Sequence, residues 1–487
     1  MLGGAILVLA LAATVHTWTV FSQVIDEPCH VAAGVEWLDT GHFELHPHGR
    51  LTASSPHPPL ARILFGIGPM LRGARDPALP NWILAGNAIL YGTGDYQATL
   101  ASARAGNLPF FALACALVVV WARKDYGAPA ALVALLFFAT QPTVVGHAGL
   151  ATTDMAATAT IAAALYTFQR WLEQPTGARA ALVGLAVGAA VATKFSAIAF
   201  VPAAFWPMLA LGRPANGKVT AIAAVPVAVV TVLAAYRFHP AAFFAGLSDL
   251  YEHSLGWHPV YLFGEVRLEG WWYYLPVALG LKSTIPLLLA FAHGAVRLVR
   301  TRSASRAPVA AAAAILVVAM ATRMSIGVRH VLPLYPLVAM VAAYGVVHMR
   351  RSLAVAFVVA QLASFALAHP DHLAYFNLTA GRDPARLLLD SNLDWGQDIR
   401  RLEDAAARYD IDTLHVALFT TAELPRHRLP PTHPLPPFTK VTGWIAISEM
   451  QRQDVGARDR PRGAYDWLAA YEPVARVGKS IVLYRVP

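Results

Sequence analysis

The feature that most constrains this chain is where its apolar residues lie: they are gathered into long blocks. Residues 2–24, 107–121, 128–145, 155–171, 180–192, 198–211, 219–236, 272–296, 309–321, 331–347 and 353–368 are predominantly hydrophobic. A helix that crosses a hydrocarbon layer needs ~20 apolar residues. Several blocks fall short of that length, so their ends reach into interfacial or water-filled space. The pattern predicts an α-helical polytopic membrane protein with about eleven transmembrane helices. Composition agrees, with 56% hydrophobic and 14% charged residues, against about 25% charged in soluble domains. Residues 2–24 lack a basic leading region and a small-residue cleavage site before Asp26, so they read as an uncleaved first helix.

Basic residues in short loops orient such a chain. With the N-terminus inside, the inner loops carry Arg123 and Lys124, Arg170 and Arg179, Arg213 and Lys218, Arg297 to Arg306, and Arg350 with Arg351. The opposite side receives the long segments 25–106, 237–270 and 369–487. The expected organisation is a transmembrane catalytic domain over 1–369, with outer loops 25–106 and 237–270, followed by an extracytoplasmic α/β domain over 370–487. Any chemistry then belongs to the outer face of a cell membrane. The net charge of +9 reports this topology and contact with anionic lipid, and gives no ground for a nucleic-acid partner.

Cys29 and Cys115 form no framework, and neither sits in a CxxC pair. No Walker loop, GxGxxG fingerprint or HExxH helix is present, which removes the common nucleotide and zinc readings.

The outer loops hold the unusual residues. Asp26 and Glu27 follow the first helix directly, and ionisable groups at a membrane boundary are costly and tend to be functional. The structural alternative makes Asp26 the N-cap of a helix with Pro28 in its first turn. His42, His46, His48 and His57 cluster further along, at a spacing that fits no standard zinc ligand set. His57-Pro58-Pro59-Leu60-Ala61-Arg62 sets a rigid entry into a helix from Leu60. Thr152-Thr153-Asp154, Ala192-Thr193-Lys194 and Gly327-Val328-Arg329-His330-Val331-Leu332-Pro333 lie at later outer loops.

In order and placement these motifs resemble the protein O-mannosyltransferases and the related lipid A aminoarabinose transferases, both GT-C membrane glycosyltransferases. The resemblance covers residues 1–370. It implies an inverting glycosyltransferase that moves a sugar from a polyprenyl-phosphate donor to a lipid, glycan or protein acceptor. Asp26 matches the family's catalytic aspartate and would be the general base. Glu27 would orient it or bind a sugar hydroxyl, and Asp154 matches the second acidic position. The leaving phosphate calls for cations, with Arg62, Lys194, Arg267, Lys282, Arg323 and Arg329 as candidates and snorkelling as their shared alternative. Lys194 and Arg329 match family positions. His57, His258, Glu265, Arg267 and His330 complete the expected donor-binding set, the loop 249–270 resembling the family's mobile outer loop. No metal is expected for want of a clean carboxylate triad, a divalent ion being the alternative. A secondary transporter is the alternative function, although no internal repeat is visible.

The phrase Asp390-Ser391-Asn392-Leu393-Asp394-Trp395-Gly396-Gln397-Asp398 resembles one found in bacterial members of the family. It departs from the eukaryotic O-mannosyltransferases, which carry a different soluble module. Asp394 with Gln397 reads as a capping-box start to a helix over 396–409. Segments 413–419, 443–447 and 480–486 read as strands, and the proline-rich run 424–438 as a loop.

Overall fold

A computed structural model of the chain describes residues 2–41, 57–79, 81–212, 220–255, 258–301, 305–322, 326–456 and 461–487. His42, His46, His48, Arg213, Lys218, Arg302 and Arg323 therefore lie outside the described residues.

Helices come first: α1 (Leu2–Thr17), α2 (Glu27–Asp39), α3 (Pro59–Leu71), α4 (Trp82–Gly92), α5 (Tyr96–Ala105) and α6 (Leu108–Tyr126). Next are α7 (Ala128–Ala139), α8 (Pro142–Ala148), α9 (Thr153–Glu173), α10 (Gly177–Val191) and α11 (Ala197–Leu211). α12 (Ala224–Ala235) and α13 (Pro240–Leu255) precede a hairpin of β1 (Val260–Leu262) and β2 (Glu265–Arg267). Then follow α14 (Tyr274–Lys282), α15 (Ile285–Thr301), α16 (Ala307–Met320), α17 (Leu334–Val347) and α18 (Arg351–Ala368).

Five of the apolar blocks, 2–24, 128–145, 219–236, 272–296 and 331–347, are longer than any helix formed within them. Among the described residues two are long and apolar enough to cross a membrane, Tyr96–Tyr126 and Arg351–Ala368, or up to five if three bent pairs each count as one. Length alone thus does not return eleven spans, because the blocks run on through bends and irregular backbone. The first block shows why: α1 stops at Thr17, and the chain beyond it turns extended to bond the C-terminal segment, with Ser22 N–H donating to the Gln397 carbonyl at 3.0 Å. The outward surfaces nevertheless suit hydrocarbon. α12 has no buried residue, and Val225, Val229, Val355 and Val359 stand exposed, an apolar surface that water tolerates poorly.

α2 and α3 cross closely enough to demand glycine. A Cβ on Gly34 would lie 2.0 Å from the Arg62 carbonyl oxygen, and one on Gly66 2.5 Å from the Gly34 carbonyl carbon. The start of α3 is also tied across the fold, Leu60 N–H donating to the Ala192 carbonyl at 3.0 Å. That bond brings the His57-Pro58-Pro59 entry beside the turn carrying Lys194.

The C-terminal part is a five-stranded sheet in the order β4–β3–β5–β7–β6, with β3 (Leu414–Ala417), β4 (Thr432–Pro434), β5 (Gly443–Ser448), β6 (Ala475–Val477) and β7 (Ile481–Val486). β3 runs parallel to β4 and β5, while β7 is antiparallel to β5 and β6. α19 (Ile399–Arg408) buries Ile399, Leu402 and Ala406 against Leu414, Ala446, Ile481 and Leu483. The expected capping box is absent: Asp398 holds the N-cap position without a side-chain capping bond, its Oδ2 accepting instead from the Lys479 and Ser480 amides. The Asp394 carboxylate instead accepts from Met450 N–H at 2.8 Å, and the Gln397 amide oxygen from Trp395 N–H at 2.9 Å. The proline-rich run also contributes the short edge strand β4, where Pro434 is tolerated because an edge leaves backbone positions unpaired.

Candidate active site

Four side chains named from separate loops meet in one network. Arg329, in a single 3₁₀ turn (Val328–Val331), donates from Nη1 to Asp26 Oδ2 at 2.7 Å and faces Asp154 Oδ2 at 3.9 Å. Lys194 Nζ donates to Asp154 Oδ1 at 2.6 Å. Asp26 does occupy the N-cap position of α2, with proline in the first turn, but makes no capping bond. Its carboxylate is therefore left for Arg329 and remains 25% exposed, while Asp154 is 1% exposed. One carboxylate can meet a ligand and the other is locked in.

The C-terminal phrase builds the floor beneath this network. The Arg329 guanidinium lies over the Trp395 ring at 4.4 Å, and the Trp395 carbonyl accepts from Ile25 N–H at 3.0 Å. Asn392 Oδ1 accepts from Val328 N–H at 3.0 Å, and Ser391 Oγ donates to the Ile326 carbonyl at 2.9 Å. A Cβ on Gly327 would lie 2.0 Å from Ser391 Oγ, so a larger residue there would push that hydroxyl off the Ile326 carbonyl. Asp390, in left-handed backbone at φ 56°, faces Arg329; burial pushes its carboxyl up to about 6. Among the described residues no three ligating side chains converge to hold a metal ion.

Residues 75–238 match the family described as dolichyl-phosphate-mannose-protein mannosyltransferase. The structure is similar to that of ArnT from Cupriavidus metallidurans in the apo state, with a TM-score of 0.54 and 15% identity over 98% of this chain and 97% of that one. The same protein bound to undecaprenyl phosphate gives a TM-score of 0.52 at 15% identity and the same coverage. Over residues 75–238 the chain thus matches that family in sequence, and over nearly its whole length it shares the fold of ArnT. The Archaeoglobus fulgidus oligosaccharyltransferase tethered with an acceptor peptide has a TM-score of 0.45 at 14% identity, covering 76% of this chain and 55% of that one. No curated protein sequence matches this one.

The remaining expected residues divide. Glu27, expected to assist Asp26 or touch sugar, is wholly buried and fully engaged: it accepts from Arg104 Nε at 2.7 Å, Arg104 Nη2 at 2.8 Å, and the Ala151 and Val24 amides at 2.9 Å each. It staples the α2 start to α5 and the α8–α9 loop. Arg62 is buried on α3, donating from Nε to His30 Nδ1 at 3.1 Å and lying over Trp82, and His57 stacks on His30 at 6.2 Å. Lys282, a phosphate candidate, is buried with Nζ donating to the Leu373 and Asn392 carbonyls, a structural strut. Glu265 and Arg267 pair with each other at 2.9 Å on the exposed hairpin, Arg267 lying over Trp271, away from the ion network's bonds. The hairpin docks on the C-terminal segment, Phe263 N–H donating to the Leu387 carbonyl at 3.0 Å. His258 is partly exposed just before β1, and His330 follows Arg329 in the same turn.

Sequence reading passed over Trp395, Arg104 and His147. Trp395 stood inside a recognised phrase whose aspartate drew attention instead. A lone arginine at the approach to an apolar block was the available signal for Arg104.

Proposed function

We propose that this protein is an inverting glycosyltransferase of the outer membrane face, moving a sugar from a polyprenyl phosphate to an acceptor hydroxyl. The observation that carries this is the joined pair of ion pairs, Asp26–Arg329 and Asp154–Lys194. Asp26, the more open carboxylate, takes the acceptor's proton as its oxygen forms a bond to the anomeric carbon. The anomeric C–O bond to phosphate breaks on the opposite side, and its electron pair leaves with the phosphate. Arg329 and Lys194 stabilise that growing charge. Asp154 aims Lys194 and balances the cations between turnovers. Two further features support the reading. An apolar cavity of about 490 Å³ between α9, α10 and α11 is lined by Val191 and Ala197, on either side of the Lys194 turn. An isoprenoid chain lodged there leaves its phosphate beside Lys194. The similar ArnT fold is also one that has been seen with undecaprenyl phosphate.

The test is release of polyprenyl phosphate from a polyprenyl-phosphate hexose by purified protein, paired with mass spectrometry of envelope glycans with and without it. Asp26→Asn is expected to lower turnover by roughly 10²–10⁴-fold. Full activity of that variant overturns the assignment of the base; identical glycans in both strains overturn the function.

A further inference from the structure

Asp26 and Arg329 are 303 residues apart, yet their side-chain atoms meet at 2.7 Å. One C-terminal stretch, residues 390–397, is bonded to the backbone on both sides of that contact. On the Asp26 side, Ile25 N–H donates to the Trp395 carbonyl and Ser22 N–H to the Gln397 carbonyl, each at 3.0 Å. Ser22 Oγ adds a bond to the Gly396 carbonyl at 3.2 Å. On the Arg329 side, Val328 N–H donates to Asn392 Oδ1 at 3.0 Å, and Ser391 Oγ donates to the Ile326 carbonyl at 2.9 Å. Ile25 and Val328 immediately precede the two ion-pair residues. These bonds therefore fix the points from which both side chains leave the backbone.

The stretch is itself held from several directions. The Gln397 side chain closes its turn, Oε1 accepting from Trp395 N–H at 2.9 Å and Nε2 donating to the Leu393 carbonyl at 2.8 Å. Asn392 Nδ2 donates to Tyr274 Oη at 2.9 Å, and the Asn392 carbonyl accepts from Lys282 Nζ. The Trp395 ring meets the Arg329 guanidinium at 4.4 Å and the His147 ring at 6.0 Å. Asp390 N–H donates to Met450 Sδ at 3.2 Å, with Asp390 in left-handed backbone. A non-glycine residue keeps that conformation where its surroundings impose it. A loop that merely covered the bundle would need only apolar contact. This one commits polar side chains and carbonyls to the two backbone segments that carry one ion pair.

We infer that residues 390–397 are a jig for the Asp26–Arg329 pair, with Ser391 and Asn392 as the positioning residues of Arg329. The inference rests on the transferase reading above and gives the C-terminal part a task in the chemistry beyond support. Both residues act through the backbone that carries Arg329. Stabilising a leaving phosphate depends on donors set in place before the reaction, and a misplacement of about 1 Å can lower a rate by ~10²-fold. A guanidinium displaced by that much stays close and keeps its charge. Donor binding then survives, while the alignment needed in the transition state is lost.

The experiment is a double-mutant cycle on the purified full-length protein: wild type, Asn392→Ala, Arg329→Lys and the double variant. It reads kcat and KM for undecaprenyl-phosphate hexose, with envelope extract from cells lacking the protein as acceptor. Asn392→Ala is expected to lower kcat about tenfold and to change KM less than about threefold. In the Arg329→Lys background the planar fork that the jig aims is already gone, so the same substitution should lower kcat less than about twofold. An Asn392 that served the fold alone would cost the same factor in both backgrounds. Ser391→Ala removes a single bond with little change of volume, and should lower kcat about threefold while being equally silent beside Arg329→Lys. It decides the matter if Asn392→Ala fails to fold. Equal losses in the two backgrounds, an unchanged kcat in a folded variant, or a loss confined to KM overturns the jig. No turnover by wild type overturns the transferase reading, and the jig with it.

Discussion

Replacing Glu27 with Gln removes one charge from a pair in which neither side chain is exposed. Both carboxylate oxygens are saturated. Oε1 takes Arg104 Nε and the Ala151 amide, and Oε2 takes Arg104 Nη2 and the Val24 amide. A glutamine amide turns one of these acceptors into a donor aimed at other donors, and leaves the Arg104 charge without its counter-ion. Breaking a buried pair in this way costs ~3–5 kcal/mol. Asp26, one residue earlier, is 25% exposed and holds a single arginine bond, so Asp26→Asn should cost no more than ~1 kcal/mol. Thermal unfolding in detergent, read by tryptophan fluorescence, separates the two. Glu27→Gln should lower Tm on the order of 10 °C, while Asp26→Asn melts near wild type yet turns over roughly 10²–10⁴-fold more slowly. A Glu27→Gln protein that melts like wild type but is inactive would refute the structural assignment of Glu27 and return it to the chemistry.

Three further outcomes are expected. Arg329→Lys loses both the planar fork and the stack on Trp395, so affinity for undecaprenyl phosphate should fall about tenfold; unchanged affinity makes Arg329 a headgroup anchor. Burial pushes the Asp394 carboxyl up to about 8. A carboxyl raised on folding stabilises fully below its unfolded pKa, and that contribution is lost as pH rises through the folded value. Wild type should therefore lose Tm as pH climbs from mildly acidic to beyond 8 and Asp394→Asn should lose less, identical slopes ruling this out. A reporter joined after Pro487 should lie outside the cytoplasm and one inserted at Ser303 inside it, and finding both on one side overturns the topology.

The network's members were legible because charges stand out against apolar sequence. Asp26, Asp154, Lys194 and Arg329 each interrupt or border a hydrophobic block, where a charge is expensive to keep. Their partners were not legible. Adjacent carboxylates look alike in a sequence, but neighbouring helix positions point about 100° apart. The first turn of α2 thus sends Asp26 toward Arg329 and Glu27 into the bundle toward Arg104. Asp394 misled for a related reason, since a capping-box spacing is local and its carboxylate was drawn instead to a distant amide on the sheet side.

By itself the sequence determined the solvent of this protein and the short list of residues able to do chemistry. Hydropathy and charge cost act residue by residue, and neither needs a partner to be counted. Only the tertiary structure decided which charge neutralises which. Arg329 and Asp26 are 303 residues apart in the chain, and Trp395 reaches Arg329 from beyond the last apolar block. An ion pair depends on a separation of a few ångströms, and only the crossing of helices and the return of the C-terminal segment set that separation.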